Sequence, residues 1–437
     1  MLLKFPKFFL WGTAISSHQV EGGNFNDWSE WEKQNAKYLA REAGKRSWPA
    51  YVLNDYPNPL QEENYISGRA CDHYNRYEED FDIAKSLNHN VHRFSIEWSR
   101  VEPREGEWDQ KEIEHYKNVL RALRDRNIEP FVTLWHWTNP VWFAEKGAWL
   151  NKKAPFYFAR YVEKVVNELG DLANFWVILN EPTVLILNCY WRGLWPSRKN
   201  GFLVSYKALN NLAMAHNLAY EKIIFLKPQS RIGIAYNFTC FEAHKENFFN
   251  KIIKYFADYL NNHYFLEKIK GKLHFIGCNY YFHNRIKFNL FHPVKSLKDN
   301  ENKFVSGIGW EIYPEGIYHI LKDLKKYNLP VYITENGVAD ARDKYRADFI
   351  KNHLLWTYKA IGEGVDVRGY FHWSLLDNFE WDKGFWPRFG LVEVDYKTME
   401  RKMRQSAFEY AKICKNNGVI LNTPEADTSC RYGASKY

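Results

Sequence analysis

Residues 175–182 read FWVILNEP, an apolar run that ends at the acid Glu181. Residues 330–337 read PVYITENG and place Glu335 in the same way after an apolar run. Short runs rich in β-branched and aromatic residues predict buried strands, so each acid is expected at the C-terminal end of a strand. A carboxylate there is costly unless it is paired, hydrogen-bonded or used. Two acids in matching positions suggest a catalytic carboxylate pair of the kind used in sugar chemistry.

Eight runs of this kind recur along the chain, and most of them precede a loop and an amphipathic helical stretch. Strands that alternate with helices form right-handed βαβ units with parallel strands. The sequence therefore predicts an α/β fold, a single (β/α)8 TIM barrel whose long βα loops form a deep active-site pocket. The predicted strands are residues 8–15, 91–96, 130–135, 175–179, 231–236, 274–281, 331–334 and 367–373.

The composition is that of an ordinary globular protein. Residues 1–421 are predicted to form the catalytic barrel domain, and residues 422–437, polar and without periodicity, a flexible C-terminal tail. The chain carries 60 basic and 52 acidic residues, with a net charge of +8, but both signs mix along it. We therefore expect no nucleic-acid partner.

The remaining compositional signals concern membranes, compartment and cofactors. No apolar run is long enough to span a membrane, so no membrane partner is expected. Six scattered cysteines without a CxxC pair fit a reducing compartment, which predicts a cytoplasmic location. The histidines show no metal-ligand spacing, and neither a metal nor a cofactor is expected. The sequence leaves the oligomeric state open.

Other polar and aromatic residues fall within or just after the predicted strands. Arg93 lies inside the second predicted strand, where an inward-pointing guanidinium needs an acid, and the Tyr281 hydroxyl also needs a partner. Glu335 can satisfy both. The other candidates at strand ends are Gln19, His136, Trp137, Asn180, Asn279, Trp373, Glu380 and Trp381.

Six motifs in this order resemble glycoside hydrolase family 1, the retaining β-glucosidase and β-galactosidase group. The resemblance covers nearly the whole chain. The motifs are FLWGTA at 9–14, ACDHY at 70–74, RFSI at 93–96, NEP at 180–182, TENG at 334–337 and GYFHWSLLDNFEW at 369–381. The resemblance implies that Glu335 is the nucleophile and Glu181 the general acid/base.

The two acids are expected to hold their protons differently. Arg93 and Tyr281 should favour the charged form of Glu335. Apolar neighbours and the charge of Glu335 should raise the pKa of Glu181, so that it keeps its proton. Glu181 then protonates the leaving oxygen while Glu335 attacks the anomeric carbon, and it activates water in the second step.

The resemblance also implies a clamp around the innermost sugar of a small β-glycoside or oligosaccharide. Asn180 would donate to the 2-hydroxyl and Trp373 would form the stacking floor. A carboxylate at Glu380 would repel a 6-phosphate, which disfavours phospho-sugars as substrates. The hydroxyls at positions 3, 4 and 6 would bond to Gln19, His136, Glu380 and Trp381, and Trp137 and Asn279 complete the predicted substrate-binding set.

Three functions remain open on this evidence. The first is a retaining exo-β-glycosidase that hydrolyses terminal non-reducing β-D-glycosyl residues. The others are a transglycosylating member of the family and a catalytically silent sugar-binding relative. The sequence does not distinguish glucose from galactose, fucose or mannose. The aglycone is also open, because residues 136–140 read HWTNP where the family often has HWDLP.

Overall fold

Eight parallel strands close into a barrel in this computed structural model, which describes residues 2–197, 199–288 and 304–420. Each strand pairs with the next along the chain, and the eighth pairs with the first. The predicted (β/α)8 barrel is confirmed, and the predicted tail at 422–437 lies outside the described residues. The strands are β1 (Leu10–Ala14), β2 (Val91–Ser95), β3 (Glu129–Thr133), β4 (Phe175–Asn180), β5 (Arg231–Ala243), β6 (Phe275–Ile286), β7 (Val331–Asn336) and β8 (Val367–Trp373).

Strands β5 and β6 are longer than predicted. The predictions ended at residues 236 and 281, whereas the strands continue in parallel register to the pair Ala243 and Ile286. The additional residues of β5 mix polar and aromatic types, which is more typical of a loop than of a buried strand. They stay extended because each strand supplies the backbone hydrogen-bond partners of the other.

Helices cover the outside of the barrel. The helix Gln110–Asp125 begins where the Asp109 carboxylate accepts the backbone N–H groups of Lys111 and Glu112, at 2.9 and 3.2 Å. The longer helices are Asp27–Ala43, His73–Ser86, Gln110–Asp125, Ala154–Leu169, Phe202–Leu226, Phe248–Asp258, Glu315–Leu324, Arg346–Gly362 and Gln405–Asn416. The short helical segments are Ser17–Val20, Ala50–Leu53, Glu62–Tyr65, Trp98–Val101, Val141–Glu145, Ala148–Leu150, Pro182–Leu185, Ile186–Trp191, Tyr259–His263, Tyr264–Lys268, Lys325–Tyr327 and Trp381–Lys383.

Two antiparallel ribbons lie outside the barrel. Leu2–Lys4 pairs with Gly418–Ile420, and Val392–Val394 pairs with Arg401–Met403. The first ribbon joins the two ends of the described chain. In the described part of the chain, no helix combines the length and the apolar character needed to cross a bilayer.

A group of aromatic rings fills the barrel interior. Phe131 of β3 is fully buried, and its ring centroid lies 4.9 to 5.4 Å from those of Phe175, Phe275, Tyr332 and Phe371. These rings come from five different strands. The core therefore holds these five strands together in the interior of the barrel.

Truncation of this central ring is expected to destabilise the barrel strongly. Phe131→Ala removes a ring that no neighbour can replace, and the free energy of unfolding should fall by about 3–5 kcal/mol. Denaturant unfolding measures the change. Phe225→Ala is the control, because Phe225 is 83% exposed and its removal should change stability by less than about 0.5 kcal/mol. Equal losses in the two variants would contradict this account of the core.

Candidate active site

Glu181 and Glu335 lie at the same end of the barrel, both buried. Strand β4 ends at Asn180, and Glu181 adopts a left-handed backbone conformation with φ 44° and ψ 55°. This conformation is uncommon for a residue with a side chain, and it turns the backbone from β4 into the short helix Pro182–Leu185. Glu335 belongs to the last residues of β7, where it pairs in register with Asn279 of β6.

Arg93 connects the two acidic strand ends. Its Nη1 donates to Glu335 Oε1 at 2.5 Å, and its Nη2 donates to Asn180 Oδ1 at 2.6 Å. The Tyr281 hydroxyl donates to the other oxygen of Glu335 at 3.0 Å. Arg93 is fully buried, so its charge acts in a medium of low polarity. Both oxygens of Glu335 therefore face strong donors.

Among the residues that the structure describes, the donors to Glu181 are neutral amides. The amide of Asn279 donates to Glu181 Oε1 at 2.8 Å, and the amide of Asn237 donates to the same atom at 3.3 Å. The Thr334 hydroxyl donates to the amide oxygen of Asn279 at 2.7 Å, which turns the nitrogen of this amide toward Glu181. Amide donors stabilise a carboxylate less than a guanidinium does.

The surroundings separate the protonation behaviour of the two acids. Burial raises the pKa of Glu181 to about 8, and the nearby charge of Glu335 raises it as well. Burial also raises the pKa of Glu335, while Arg93, Tyr281 and Asn279 oppose this rise. The sequence predicts that Arg93 and Tyr281 favour the charged form of Glu335; both lower its pKa, but burial raises this pKa by more. Because only Glu335 has a cationic hydrogen-bond partner, a proton shared by the pair resides on Glu181.

His136 lies beside Asn180 with one nitrogen unused. The Asn180 amide nitrogen lies 3.0 Å from His136 Nε2, and His136 Nδ1 has no hydrogen-bond partner among the described residues. Burial lowers the pKa of His136 well below its usual range, so the ring is neutral. A buried nitrogen without a partner is unusual and is available to a ligand hydroxyl.

Gln19 and Glu380 form a second polar group at this end of the barrel. Gln19 Nε2 donates to the carbonyl of Phe379 at 2.8 Å, to Asn378 Oδ1 at 3.0 Å and to Glu380 Oε2 at 3.4 Å. The Ser16 hydroxyl donates to Gln19 Oε1 at 2.7 Å, which fixes the amide orientation. Burial raises the pKa of Glu380 to about 8, with the charge of Glu335 adding to the effect.

Aromatic rings enclose these polar groups. The His136 ring lies nearly parallel to Trp373 and Trp381, at centroid distances of 6.1 and 6.0 Å. Trp137 packs on Trp381 at 4.7 Å, and its indole N–H donates to the carbonyl of Asn180 at 3.0 Å. The structure thus brings all twelve predicted site residues together, although the indole N–H of Trp137 is already in use.

Sequence reasoning missed Asn237, which contacts Glu181 directly. Asn237 is the first residue after the predicted end of the fifth strand, and the strand-end rule that selected Asn279 selects it too. Among the described residues, the one group with metal-ligand spacing lies outside this site. It comprises Asp258, His263 and Asp323, and the Lys326 ammonium lies 3.1 Å from the His263 Nε2.

The raised pKa of Glu181 predicts the alkaline side of the pH profile. If Glu181 must donate a proton, kcat/KM should fall as the pH rises through about 8. Asn237→Ala removes a donor that favours the charged form, so the pKa of Glu181 should rise further. The alkaline limb should then move upward by about 0.5 to 1 pH unit. Asn211→Ala is the matched control, because Asn211 bonds the carbonyl of Trp149 outside the site. An alkaline limb that stays in place or moves down in Asn237→Ala would contradict the assignment.

Comparison with known proteins shows which family the chain matches. A family model described as Glycosyl hydrolase family 1 matches residues 1–269 and 261–419. Beta-glucosidase A of Thermotoga maritima is 36% identical over 458 aligned residues, which cover 95% of this chain and 99% of that protein.

Solved structures agree closely with the fold. The beta-glycosidase from Pyrococcus horikoshii has a TM-score of 0.85 at 35% identity, and the match covers 96% of this chain and 97% of that one. The beta-glucosidase from Thermotoga maritima in complex with glucoimidazole has a TM-score of 0.85 at 33% identity, with 95% and 100% covered.

Proposed function

The chain belongs to glycosyl hydrolase family 1, and on that basis we propose that it is a retaining exo-β-glycosidase of the β-glucosidase type. Membership confirms the resemblance drawn from the six motifs and makes the protein an O-glycosyl hydrolase. The observation that carries the proposed roles is the unequal set of partners around the two acids. Glu335 has Arg93 and Tyr281 as donors, whereas Glu181 has the amides of Asn237 and Asn279.

In the first step, the Glu335 carboxylate attacks the anomeric carbon of the terminal sugar. The bond from this carbon to the leaving oxygen breaks, and its electron pair stays on that oxygen. Glu181 donates its proton there, so the aglycone leaves as a neutral alcohol. Arg93 and Tyr281 hold the Glu335 carboxylate in place for the attack. The product of this step is a glycosyl ester on Glu335.

In the second step, Glu181 changes from acid to base. The ester on Glu335 carries no charge, so the repulsion that raised the pKa of Glu181 is lost and a carboxylate at Glu181 becomes more stable. Glu181 accepts a proton from water while the water oxygen attacks the anomeric carbon. The bond to Glu335 breaks, and the sugar leaves with its original β configuration.

The surrounding residues support recognition of a single terminal sugar. Asn180 is held by Arg93 next to the reacting centre, where a contact to the 2-hydroxyl would strengthen in the transition state. His136 Nδ1 has no partner among the described residues and is available to a sugar hydroxyl. Gln19 and Glu380 are joined by a hydrogen bond and would serve neighbouring hydroxyls together. Trp373 would form the floor beneath the ring.

Glu380 also supports an unphosphorylated substrate. A 6-phosphate would need a cation, and Lys383, a basic residue near Glu380, already pairs with Asp382 at 2.8 Å. The raised pKa of Glu380 corrects part of the sequence argument, because a protonated carboxyl would not repel phosphate by charge. The argument therefore depends on the pairing of Lys383 with Asp382. A cytoplasmic location is supported by five free, buried cysteines in the described part of the chain.

Two measurements test this function. The first compares kcat/KM for aryl β-glucoside, β-galactoside, β-fucoside, β-mannoside and 6-phospho-β-glucoside, and it should favour the glucoside over its phosphorylated form. The second uses NMR to identify the first sugar released, which should be the β-anomer. Release of the α-anomer would contradict a retaining mechanism. Sugar binding without turnover by the wild-type protein would instead support the silent sugar-binding relative.

A further inference from the structure

The helix Phe248–Asp258 turns its apolar side toward solvent and its polar side toward the protein, the reverse of an ordinary surface helix. The residue it buries is Asn250, while Phe248 is 71% exposed and Tyr255 is 66% exposed. A surface helix normally turns its apolar stripe toward the core. We call the exposed apolar side of this helix and of the start of the next segment, Tyr259–His263, the aromatic helix face, which consists of Phe248, Phe249, Ile252, Tyr255, Phe256, Tyr259 and Leu260.

Polar contacts fix the helix in this orientation. Asn250 donates through Nδ2 to the carbonyl of Lys245 at 3.0 Å and accepts the backbone N–H of Phe288 at 2.7 Å. At the other end, Asp258 accepts the amide of Asn262 at 2.7 Å. A rotation that buried the apolar side would leave these groups without partners, which is costly. The apolar residues are therefore held outward by the fold.

The exposed aromatic surface continues beyond this helix. The Tyr259 ring lies 6.2 Å from that of Tyr264, and Lys268 Nζ lies 4.9 Å from the Tyr264 ring and 5.7 Å from the Tyr206 ring. Tyr206 stacks on Phe202, which is 69% exposed. Asn250 bonds Phe288 just beyond the C-terminal end of β6, so the start of the helix Phe248–Asp258 lies at the same end of the barrel as Glu181. Contiguous apolar surface of this extent marks an interaction site.

The charges beside this face indicate its partner. Residues 245–270 contain five lysines against three acids, and Lys251 and Lys254 lie on the helix itself. Aromatic side chains on one face with lysines at its flanks are typical of helices that lie in a membrane interface. Lysines also attract anionic lipid headgroups. A second copy of the chain would bring the same basic flanks and a net charge of +8 against this face, which disfavours self-association.

We propose that the aromatic helix face docks this enzyme on the surface of an anionic lipid bilayer, with the helix Phe248–Asp258 parallel to the membrane plane. With 11 residues the helix is too short to cross a bilayer, so the interaction is peripheral. This revises the expectation of no membrane partner, which considered spanning segments alone. Docking would place the catalytic end of the barrel next to the lipid headgroups.

Vesicle co-sedimentation of the full-length protein tests the proposal. The wild type should bind phosphatidylcholine vesicles that contain phosphatidylserine at least about tenfold more strongly than pure phosphatidylcholine vesicles, and added salt should reduce the difference. A triple variant with Phe248→Ser, Tyr255→Ser and Phe256→Ser should lose about tenfold or more in vesicle affinity. Its hydrolysis of a dissolved aryl glycoside should stay unchanged, which separates this test from that of the proposed function.

Two further variants keep the test decisive. Phe225→Ser removes an equally exposed aromatic side chain elsewhere and should bind vesicles as the wild type does. A double variant with Lys251→Gln and Lys254→Gln should bind anionic vesicles more weakly and bind neutral vesicles as the wild type does. This variant tests the proposal even if the triple variant fails to fold. Equal binding of the wild type to both vesicle types would overturn the proposal. The proposal would also be overturned if light scattering showed that the wild type is a dimer that does not bind vesicles, and that the triple variant is a monomer.

Discussion

Glu335→Gln should lower kcat/KM for an aryl β-glucoside by about 10⁵-fold, since loss of a nucleophile removes the step on which the reaction depends. Glutamine keeps the shape of the side chain, and its amide oxygen can still accept from Arg93, whereas its NH2 group replaces the oxygen that accepts from Tyr281. The amide does not attack the anomeric carbon. Initial-rate kinetics measure the loss. The variant should remain folded, because Arg93 still bonds Asn180 at 2.6 Å.

A buried acid outside the site provides the control for this variant. Glu102 is fully buried and accepts the indole N–H of Trp98 at 2.8 Å, away from the sugar-binding residues. Glu102→Gln should affect stability much more than kcat/KM. In addition, Glu335→Ala leaves room for azide, which should attack the sugar directly and yield the α-glycosyl azide. Activity of Glu335→Gln within about tenfold of the wild type would contradict its role as nucleophile.

Glu181→Ala should have an effect that depends on the leaving group. An alkyl glucoside needs protonation of its oxygen, so kcat/KM should fall by about 10²–10⁴-fold. A dinitrophenyl glucoside leaves without a proton, so its kcat/KM should fall far less. The alkaline limb of the pH profile should also disappear, because the group with a pKa of about 8 is gone.

The second step offers an independent check on Glu181. With Glu181→Ala, azide should accelerate turnover of the dinitrophenyl glucoside and give the β-glycosyl azide, because azide needs no general base. Asn237→Ala keeps the carboxyl and serves as the comparison, with a shifted rather than a missing alkaline limb. Equal losses on the alkyl and dinitrophenyl substrates would show that Glu181 acts on something other than the leaving oxygen.

The barrel and the acid pair could be predicted because they depend on local signals. Each strand is a short apolar run, and parallel strands must point their C-terminal ends the same way. Glu181 and Glu335 follow two such runs, so their convergence follows from topology alone. The link through Arg93 was also predictable, because an inward-pointing guanidinium on a barrel strand needs an acid.

Other features depend on tertiary context that the sequence does not display. The extensions of β5 and β6 exist because the two strands satisfy each other, and the polar residues of 237–243 give no sign of it. Burial raises the pKa of Glu335 even though Arg93 beside it lowers this pKa. Which of the two effects is larger depends on how deeply the carboxyl is buried, and the sequence does not show this. The helix Phe248–Asp258 turns its apolar side to solvent, whereas a surface helix normally turns it inward, and the sequence does not display this reversal.

The ordered roles of Glu335 and Glu181 are tested most directly by trapping the glycosyl-enzyme. A 2-deoxy-2-fluoro-β-glucosyl fluoride forms the ester rapidly and hydrolyses it slowly, so the intact mass should rise by one fluoroglucosyl group. Peptide mapping should place this group on Glu335 in the wild type and find none in Glu335→Gln. A label on Glu181 or any other residue, or turnover of this donor without a labelled enzyme, would contradict the mechanism.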